Sequence, residues 1–185
     1  PVSRRSFQLE SNMSVDAIRE AIRDIPNFPK PGILFKDITP VLQDIDVFKE
    51  VIDIMAENCR RLKPTKIVAI ESRGFIFGMP LAYVLGIGLV PIRKKGKLPY
   101  KTIDVSYDLE YGSATMEIHE DALTSGDRVV IVDDLLATGG TAAASVELVS
   151  TLNAEVIALE FLVELEFLKG REKLQGYQIN AIIGY

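Results

Sequence analysis

The residues most able to do chemistry are two adjacent carboxylates followed by a turn of glycines and hydroxyls. Asp133 and Asp134 come directly after a β-branched run at 129–132. Two leucines later the turn begins, and its members are Ala137, Thr138, Gly139, Gly140 and Thr141. Glycines let the backbone approach a ligand, and successive N–H groups in such a turn form a concave anion site. The turn therefore predicts a phosphate-binding site at the start of a helix.

The acidic pair indicates what else the ligand carries. Carboxylates repel a phosphate placed on them, but they accept hydrogen bonds from hydroxyls and coordinate Mg²⁺. A phosphate a few ångströms from vicinal hydroxyls is a ribose 5-phosphate, and the sequence predicts such a ligand here. The alternative is an ordinary strand–helix connection with two exposed aspartates. The turn is neither a Walker loop nor a dinucleotide fingerprint, because the lysine and glycine spacings of those motifs are absent.

A second strand and turn repeat this arrangement with a cation in place of the acids. Residues 66–70 predict a buried strand, a helix is expected from Phe75, and the turn between them contains Glu71, Ser72 and Arg73. Arg73 at a helix start indicates a second anion site, against the alternative of an arginine with no ligand. Two such turns favour a ligand that carries phosphate at both ends.

Five cations follow a third predicted strand at 88–92. They are Arg93, Lys94, Lys95, Lys97 and Lys101. Charge runs usually face solvent, and that alternative stays open. Because this run lies at a strand end, where open α/β sheets bind ligands, we interpret it as part of a polyanion site.

Short alternating segments at 103–118 predict an antiparallel arm that turns at Gly112. Such an arm between parallel strands can act as a lid, here over 100–119. Glu110 and Tyr111 at its tip are candidates for work on a substrate, although most exposed turn residues have no such role. His119, the single histidine, is expected to face solvent and is assigned no catalysis.

The remaining elements complete an α/β prediction. Residues 1–12 predict a loose tail, residues 15–25 a helix ended by Pro26, and residues 13–40 a proline-pinned hood that covers the core or walls a flat pocket. Beyond the phosphate turn we expect helices at 142–152 and 165–174 and strands at 155–163 and 178–183. The whole is one domain with a parallel sheet of about five strands and helices on both faces.

Composition bounds the class of protein. The chain has 185 residues, 48% apolar and 25% charged, as a single soluble globular domain would. Its apolar runs are too short to span a membrane. A net charge of −5 argues against a nucleic-acid-binding surface. The single Cys59 excludes an internal disulfide, fits a reducing compartment, and is interpreted as a small buried hydrophobe.

The stretch at 129–141 resembles the phosphoribosyl-pyrophosphate motif of the type I phosphoribosyltransferases. Further segments resemble the adenine-specific family in order and spacing, and they lie at 27–40, 71–78, 93–99, 107–112 and 163–171. The resemblance covers the chain from about Ser14 to Tyr185. It implies a cytoplasmic homodimer that salvages purine by converting adenine and phosphoribosyl pyrophosphate (PRPP) into AMP and pyrophosphate, with Mg²⁺ as cofactor.

The resemblance also implies residue roles. Residues 137–141 hold the 5-phosphate, while Asp133 and Asp134 face the ribose hydroxyls and lie near Mg²⁺, which PRPP and pyrophosphate mainly hold. The pyrophosphate loop, often with a non-proline cis peptide, comprises Glu71, Ser72 and the catalytic Arg73, and near it lie Arg93, Lys94 and Lys97, which are also near the subunit contact. Adenine is bound by Phe35 and Leu135, with the main chain at Leu34 and Lys36 contacting its edge. Glu110 exchanges a proton with the purine ring, and Tyr111 belongs to the lid.

One position departs from the family, and two other functions remain open. The family commonly has arginine where Lys36 stands, which leaves a side-chain contact there in doubt. The first alternative is a phosphoribosyltransferase for hypoxanthine or xanthine, against which the Phe35 region and Glu110 argue. The second is a non-catalytic PRPP-sensing regulator, which usually adds a DNA-binding domain that this chain has no room for.

Overall fold

The computed structural model describes residues 15–108 and 112–185. The predicted tail at 1–12 and the lid residues Glu110 and Tyr111 therefore lie outside the described residues. The chain divides into two compact units, one ending at Ile54 and the other running from Met55 to Tyr185. The prediction of a single domain with a hood at 13–40 stays a prediction.

The first unit contains two short paired strands. Helix α1 covers residues 15–21, strand β1 (Arg23–Pro26) pairs antiparallel with β2 (Leu34–Asp37), and α2 (Thr39–Gln43) follows. The helix predicted to run to residue 25 is therefore wrong at its end. Pro26 disfavours helical geometry at the residue before it, and the backbone of 23–26 pairs with β2 instead. Helix α3 (Ile45–Leu62) comes next.

The second unit is built on a seven-stranded sheet. Its strands are β3 (Lys66–Ile70), β4 (Gly88–Lys94), β5 (Thr102–Asp108), β6 (Ser113–His119), β7 (Arg128–Leu136), β8 (Glu155–Glu164) and β9 (Ile179–Gly184). Their order is β5-β6-β4-β3-β7-β8-β9. The five from β4 to β9 are parallel, and the β5–β6 hairpin joins β4 antiparallel. The predicted parallel sheet and antiparallel arm are confirmed.

Helices cover both faces of this sheet. In α4 (Gly74–Leu85), Gly78 lies so close to Ala69 and Ile67 that a Cβ would overlap the Ala69 side chain. Val68 and Ile70 point the other way and share an apolar core with the buried face of α5 (Gly140–Thr151). Because side chains alternate along a strand, β3 feeds both layers.

Two further predictions are wrong in detail. Strand β7 does not end before the acidic pair, because it pairs with β8 as far as Leu136, and Asp133 and Asp134 lie within it. The helix predicted at 165–174 is instead two short 3₁₀ turns, Glu166–Leu168 and Gly170–Leu174. Lys169 between them has φ of 52°, a left-handed conformation that interrupts a helix.

The burial of two single residues, Cys59 and His119, was also predicted from the sequence. Cys59 is buried as expected, and burial raises the pKa of its thiol to about 12. His119 is half-buried rather than solvent-facing, because its ring packs edge-on against Tyr100 at 6.0 Å between centroids. Of the helices in the described parts of the chain, none is long and apolar enough to cross a membrane.

Candidate active site

A cavity of about 510 Å³ lies at the carboxyl ends of β3, β4 and β7. Parallel sheets bind ligands at this edge because their loops and helix N-termini converge there. The cavity brings together residues from both predicted anion turns, the cation run and the arm. They are Glu71, Ser72, Arg73, Lys94, Tyr107, Ala114, Met116, Asp133, Asp134, Leu135, Ala137 and Thr141.

The predicted phosphate turn connects β7 directly to α5. Gly139 has φ of 78°, which favours glycine, and its carbonyl accepts the N–H of Ala143 at 2.9 Å to start the helix. A second cavity of about 70 Å³ is lined by all five turn residues, 137–141. The turn therefore combines a helix N-terminus with a concave backbone surface, as an anion site requires.

Beside this turn Asp134 is buried and Asp133 is half-buried. An Asp133 carboxylate oxygen accepts the N–H of Asp134 at 2.9 Å, and Asp134 forms an ion pair with Arg73 Nε at 2.9 Å. Burial, followed by the charge of Asp134, raises the pKa of Asp133 well above its ordinary range. Burial also raises the pKa of Asp134, although Arg73 opposes that shift. Carboxyls with raised pKa values at a cavity edge are typical of functional sites.

Glu71 lines the large cavity and is bonded to Arg93, which lies behind it. The peptide bond between Glu71 and Ser72 is cis, as the resemblance implied. The Glu71 carboxylate accepts Arg93 Nε at 3.2 Å, Arg93 Nη2 at 3.1 Å and the N–H of Lys94 at 2.9 Å. Burial alone would raise the pKa of Glu71, but these hydrogen bonds lower it. Arg93 is therefore bonded to a carboxylate in this structure.

Only part of the cation run reaches the cavity. The Lys94 side chain lines the large cavity, whereas Arg93 and Lys97 line neither. Buried Glu117 shapes the run, because one of its carboxylate oxygens accepts the N–H groups of Lys97 and Leu98, each at 2.8 Å. Sequence reasoning missed Glu117, although a glutamate between Met116 and Ile118 in a strand was a possible signal.

The arm contributes residues that sequence reasoning missed. Tyr107, Ala114 and Met116 line the large cavity, and the Tyr107 hydroxyl lies 2.8 Å from Thr141 Oγ1. The Tyr107 ring also lies against Gly140, where an added Cβ would be 3.1 Å from it.

The predicted adenine residues fall in different units. Leu34, Phe35 and Lys36 lie on β2 of the first unit, and Leu135 lies on β7 of the second. The Lys36 ammonium pairs with Asp24 at 2.6 Å. Leu135 lines both cavities. A base held between Phe35 and Leu135 stays a prediction, as does any role of Glu110.

Comparison with known proteins identifies the family. Residues 41–176 match the phosphoribosyl transferase domain family. Adenine phosphoribosyltransferase of Carboxydothermus hydrogenoformans is 58% identical over 168 residues, which cover 91% of this chain and 99% of that protein. The chain belongs to the adenine phosphoribosyltransferase family. A second adenine phosphoribosyltransferase, from Solidesulfovibrio magneticus, is 54% identical over 90% of this chain and 97% of its own length.

Solved structures of adenine phosphoribosyltransferases share the fold. The enzyme of Thermoanaerobacter pseudethanolicus superposes with a TM-score of 0.90 at 54% identity, covering 92% of this chain and 99% of that one. The Saccharomyces cerevisiae enzyme, solved with adenine and an imino-altritol bisphosphate, has a TM-score of 0.89 at 41% identity, covering 92% of this chain and 99% of its own. The type I phosphoribosyltransferase fold predicted from the sequence is confirmed.

Proposed function

We propose that this protein transfers the phosphoribosyl group of PRPP to adenine, giving AMP and pyrophosphate in purine salvage. The observation that carries the proposal is one cavity that is lined by both anion turns and by the acidic pair, with Asp134 bonded to Arg73. PRPP has the matching chemistry, with a phosphate at one end, a diol in the middle and a pyrophosphate at the other end. The adenine in the S. cerevisiae complex supports the choice of base.

The reaction breaks one bond and forms another at C1 of the ribose. N9 of adenine attacks C1, and the bond from C1 to pyrophosphate breaks with its electron pair on the leaving oxygen. Adenine loses one ring proton as N9 bonds to C1, and Glu110, which exchanges a proton with the purine ring, accepts it. C1 acquires positive charge as the bond breaks, and the carboxylates of Asp133 and Asp134 stabilise that charge. The same charge favours their ionised forms, which burial disfavours.

The leaving pyrophosphate is bound by groups of the turn at 71–73 and of the cation run. Ser72, Arg73 and Lys94 are the members that line the cavity. The large cavity also fits Mg²⁺. This ion typically takes one or two carboxylates plus phosphate oxygens, and Asp133 and Asp134 are carboxylates that line the cavity beside the phosphate turn. When bound, Mg²⁺ neutralises phosphate charge.

Adenine is bound by Phe35 and Leu135, with the main chain at Leu34 and Lys36 at its edge. The Lys36 side chain pairs with Asp24, which supports a contact through the Lys36 backbone. The substitution of lysine for the family's usual arginine is then harmless. Giardia lamblia adenine phosphoribosyltransferase was solved with 9-deazaadenine, a second base complex among the structural neighbours.

We also propose a cytoplasmic homodimer. Helix α4 exposes four apolar side chains, Ile76, Met79, Tyr83 and Val84, of which Tyr83 is 85% exposed. An exposed apolar row of this kind is typical of an interface between subunits. Sedimentation equilibrium is expected to give the mass of two chains, and Met79→Asp is expected to shift it toward one. A monomeric wild-type protein at micromolar concentration would contradict this.

The test of the function is pyrophosphate release with PRPP, Mg²⁺ and each of three bases. We expect turnover with adenine and kcat/KM values for hypoxanthine and xanthine that are lower by orders of magnitude. Faster use of hypoxanthine would favour the first alternative. PRPP binding without pyrophosphate release would favour the regulator. Glu110→Ala is expected to lower kcat far more than affinity for the phosphate end, and wild-type turnover in that variant would remove Glu110 from the mechanism.

A further inference from the structure

The segment at 163–171 resembles the family but has no role in the reaction described above. Its two charged ends form a tight ion pair. Arg171 Nε donates to Glu164 Oε1 at 2.8 Å and to Oε2 at 2.9 Å, and Nη2 donates to Oε2 at 2.6 Å. Arg171 Nη1 also donates to the carbonyl of Ile179 at 3.0 Å. Arg171 thus joins the end of β8 to the start of β9.

This pair closes the chain between Glu164 and Arg171 into a compact loop. The N–H of Leu165 donates to the carbonyl of Leu136, at the end of β7, at 2.9 Å. The two 3₁₀ turns follow, and the second begins at buried Gly170. The Glu164 carboxylate is itself buried, so it depends on the fork of Arg171 for its hydrogen bonds.

Gly170 lies in direct contact with the phosphate turn. A Cβ at Gly170 would overlap the carbonyl oxygen of Ala137, and a Cβ at Gly139 would overlap the carbonyl oxygen of Gly170. Neither position can hold a larger residue without moving the turn. Gly170 lines neither of the two cavities, so it contacts the turn without lining the space for ligand.

We propose that Gly170, held in place by the Arg171–Glu164 pair, is a positioning residue for the phosphate turn. It limits the backbone of 137–139 to the conformation in which the N–H groups converge on the 5-phosphate. A turn rich in glycine is otherwise flexible, and ordering it would weaken binding. The inference rests on the proposed function for the identity of the ligand, a ribose 5-phosphate group.

The first experiment compares Gly170→Ala with Gly126→Ala. Gly126 has nothing within 4 Å of an added Cβ, so it controls for the substitution itself. We expect Gly170→Ala to raise the KM for PRPP and the Kd of ribose 5-phosphate by about 10- to 100-fold, the scale of a misplaced binding group. The KM for adenine at saturating PRPP and the kcat should change less than about twofold, because only the phosphate end is affected.

A second pair of variants covers the case in which Gly170→Ala does not fold. Arg171→Lys keeps the charge but loses the fork that bonds both oxygens of Glu164. Lys173→Ala removes an exposed charge from the same 3₁₀ turn and is the matched control. Arg171→Lys is expected to raise the Kd of ribose 5-phosphate by about fivefold, less than the full worth of a charge-assisted hydrogen bond, because Arg171 acts on the turn only through Gly170. Lys173→Ala should match the wild type.

Two results would overturn the proposal. One is wild-type affinity for ribose 5-phosphate in folded Gly170→Ala and Arg171→Lys. The other is an equal loss for PRPP and adenine, which is what general destabilisation would produce. Failure of the proposed function would give a different result. Wild-type protein would then bind ribose 5-phosphate but release no pyrophosphate with adenine.

Discussion

The two anion regions of the cavity are built on opposite physical principles. The phosphate turn at 137–141 contains no charged side chain and presents backbone N–H groups, threonine hydroxyls and a helix N-terminus. The proposed pyrophosphate region, residues 71–73 with 93–97, presents charged side chains. Those side chains already contact carboxylates, as in the pairs Arg73–Asp134, Arg93–Glu71 and Lys95–Asp104.

The difference matches what each end of the proposed substrate does. The 5-phosphate stays bound through the reaction, and a preformed backbone site binds it with little reorganisation. Pyrophosphate must leave, and cations that exchange between a ligand and their own carboxylates let it do so. Each exchange lowers the net binding free energy, because the carboxylate loses its partner when the ligand binds. We therefore propose that one region provides orientation and the other provides release.

The acidic pair adjoins both regions, so its removal should have the largest effect. Asp133 lines both cavities and Asp134 pairs with Arg73. We expect Asp133→Asn/Asp134→Asn to lower kcat/KM for PRPP by about 10²- to 10³-fold or more, the scale of one lost electrostatic stabiliser. Circular dichroism should show a retained fold. Unfolded protein would mean that the pair is structural.

Gly139→Ala should produce the next largest effect, confined to the phosphate end. The change adds strain of about 2 kcal/mol at a positive φ, and the added Cβ would also overlap the carbonyl oxygen of Gly170, so we expect at least about a 30-fold rise in the KM for PRPP. Gly176→Ala is the matched control, because Gly176 has φ of 89° and nothing within 4 Å of an added Cβ. Equal effects on PRPP binding in both variants would show that the turn is not preorganised as described.

In the pyrophosphate region, neutralising one or the other partner of the Arg93–Glu71 ion pair should change the KM for PRPP in different directions. Arg93→Ala leaves Glu71 unpaired beside the polyanion, and we expect the KM for PRPP to rise about tenfold. Glu71→Gln frees Arg93 for the ligand, and we expect an unchanged or lower KM. Steady-state kinetics on both variants and on the double variant test this. A loss in Glu71→Gln as large as in Arg93→Ala would refute the exchange of partners.

Tyr107 should contribute a smaller amount to the phosphate region. If its hydroxyl donates to Thr141 Oγ1, the Thr141 hydrogen is directed toward the acceptor-only phosphate. Tyr107→Phe removes one neutral hydrogen bond of about 1 kcal/mol, and we expect the KM for PRPP to rise about fivefold. Tyr100→Phe, an exposed tyrosine before β5, is the control. A change in the KM for adenine alone would contradict the assignment.

The stability of the acidic pair and that of Glu71 should depend on pH in opposite directions. The pKa values of Asp133 and Asp134 are raised in the folded protein. Their contribution to the free energy of unfolding is therefore greatest below the ordinary pKa of 3.8, and it is lost as pH rises through their pKa values in the folded protein. The lowered pKa of Glu71 means that its carboxylate adds to the free energy of unfolding above pH 4.5, and that this contribution is lost as the pH falls. From pH 5 to 8, Asp133→Asn/Asp134→Asn should gain in Tm relative to wild type.

Glu71→Gln should instead be less stable than wild type at neutral pH, by about 2–4 °C in Tm, which is about 1 kcal/mol for a chain of this size. The difference should vanish in acid, below the folded pKa of Glu71. Calorimetry at a series of pH values measures both variants. The same sign of Tm change in both would remove the electrostatic contrast between the two regions.

Local signals were sufficient for the phosphate turn and for much of the sheet. The strand at 66–70 agrees with β3 residue for residue, because a buried β-branched run and its flanking turns need no distant information. The convergence of the two anion turns also followed from topology, since parallel strands place their carboxyl ends on one edge.

Features that depend on distant partners were beyond the sequence. The length of β7 depends on its pairing with β8, and the contact of Gly170 with Gly139 joins segments 31 residues apart. Glu160, in a strand otherwise predicted as apolar, is fully buried and receives hydrogen bonds from Asn58 and Asn180. Burial raises its pKa to about 7. No local pattern indicated these amide partners.

A crystal structure with PRPP, Mg²⁺ and 9-deazaadenine would test the contrast between the two regions most directly. It should show the 5-phosphate on the backbone of 137–141, with that turn unmoved from its position in the free protein. The pyrophosphate should lie against Ser72 and Arg73, with the Arg73–Asp134 and Arg93–Glu71 pairs lengthened or broken. Pyrophosphate in the 137–141 turn, or a turn that rearranges while both ion pairs persist, would contradict the account.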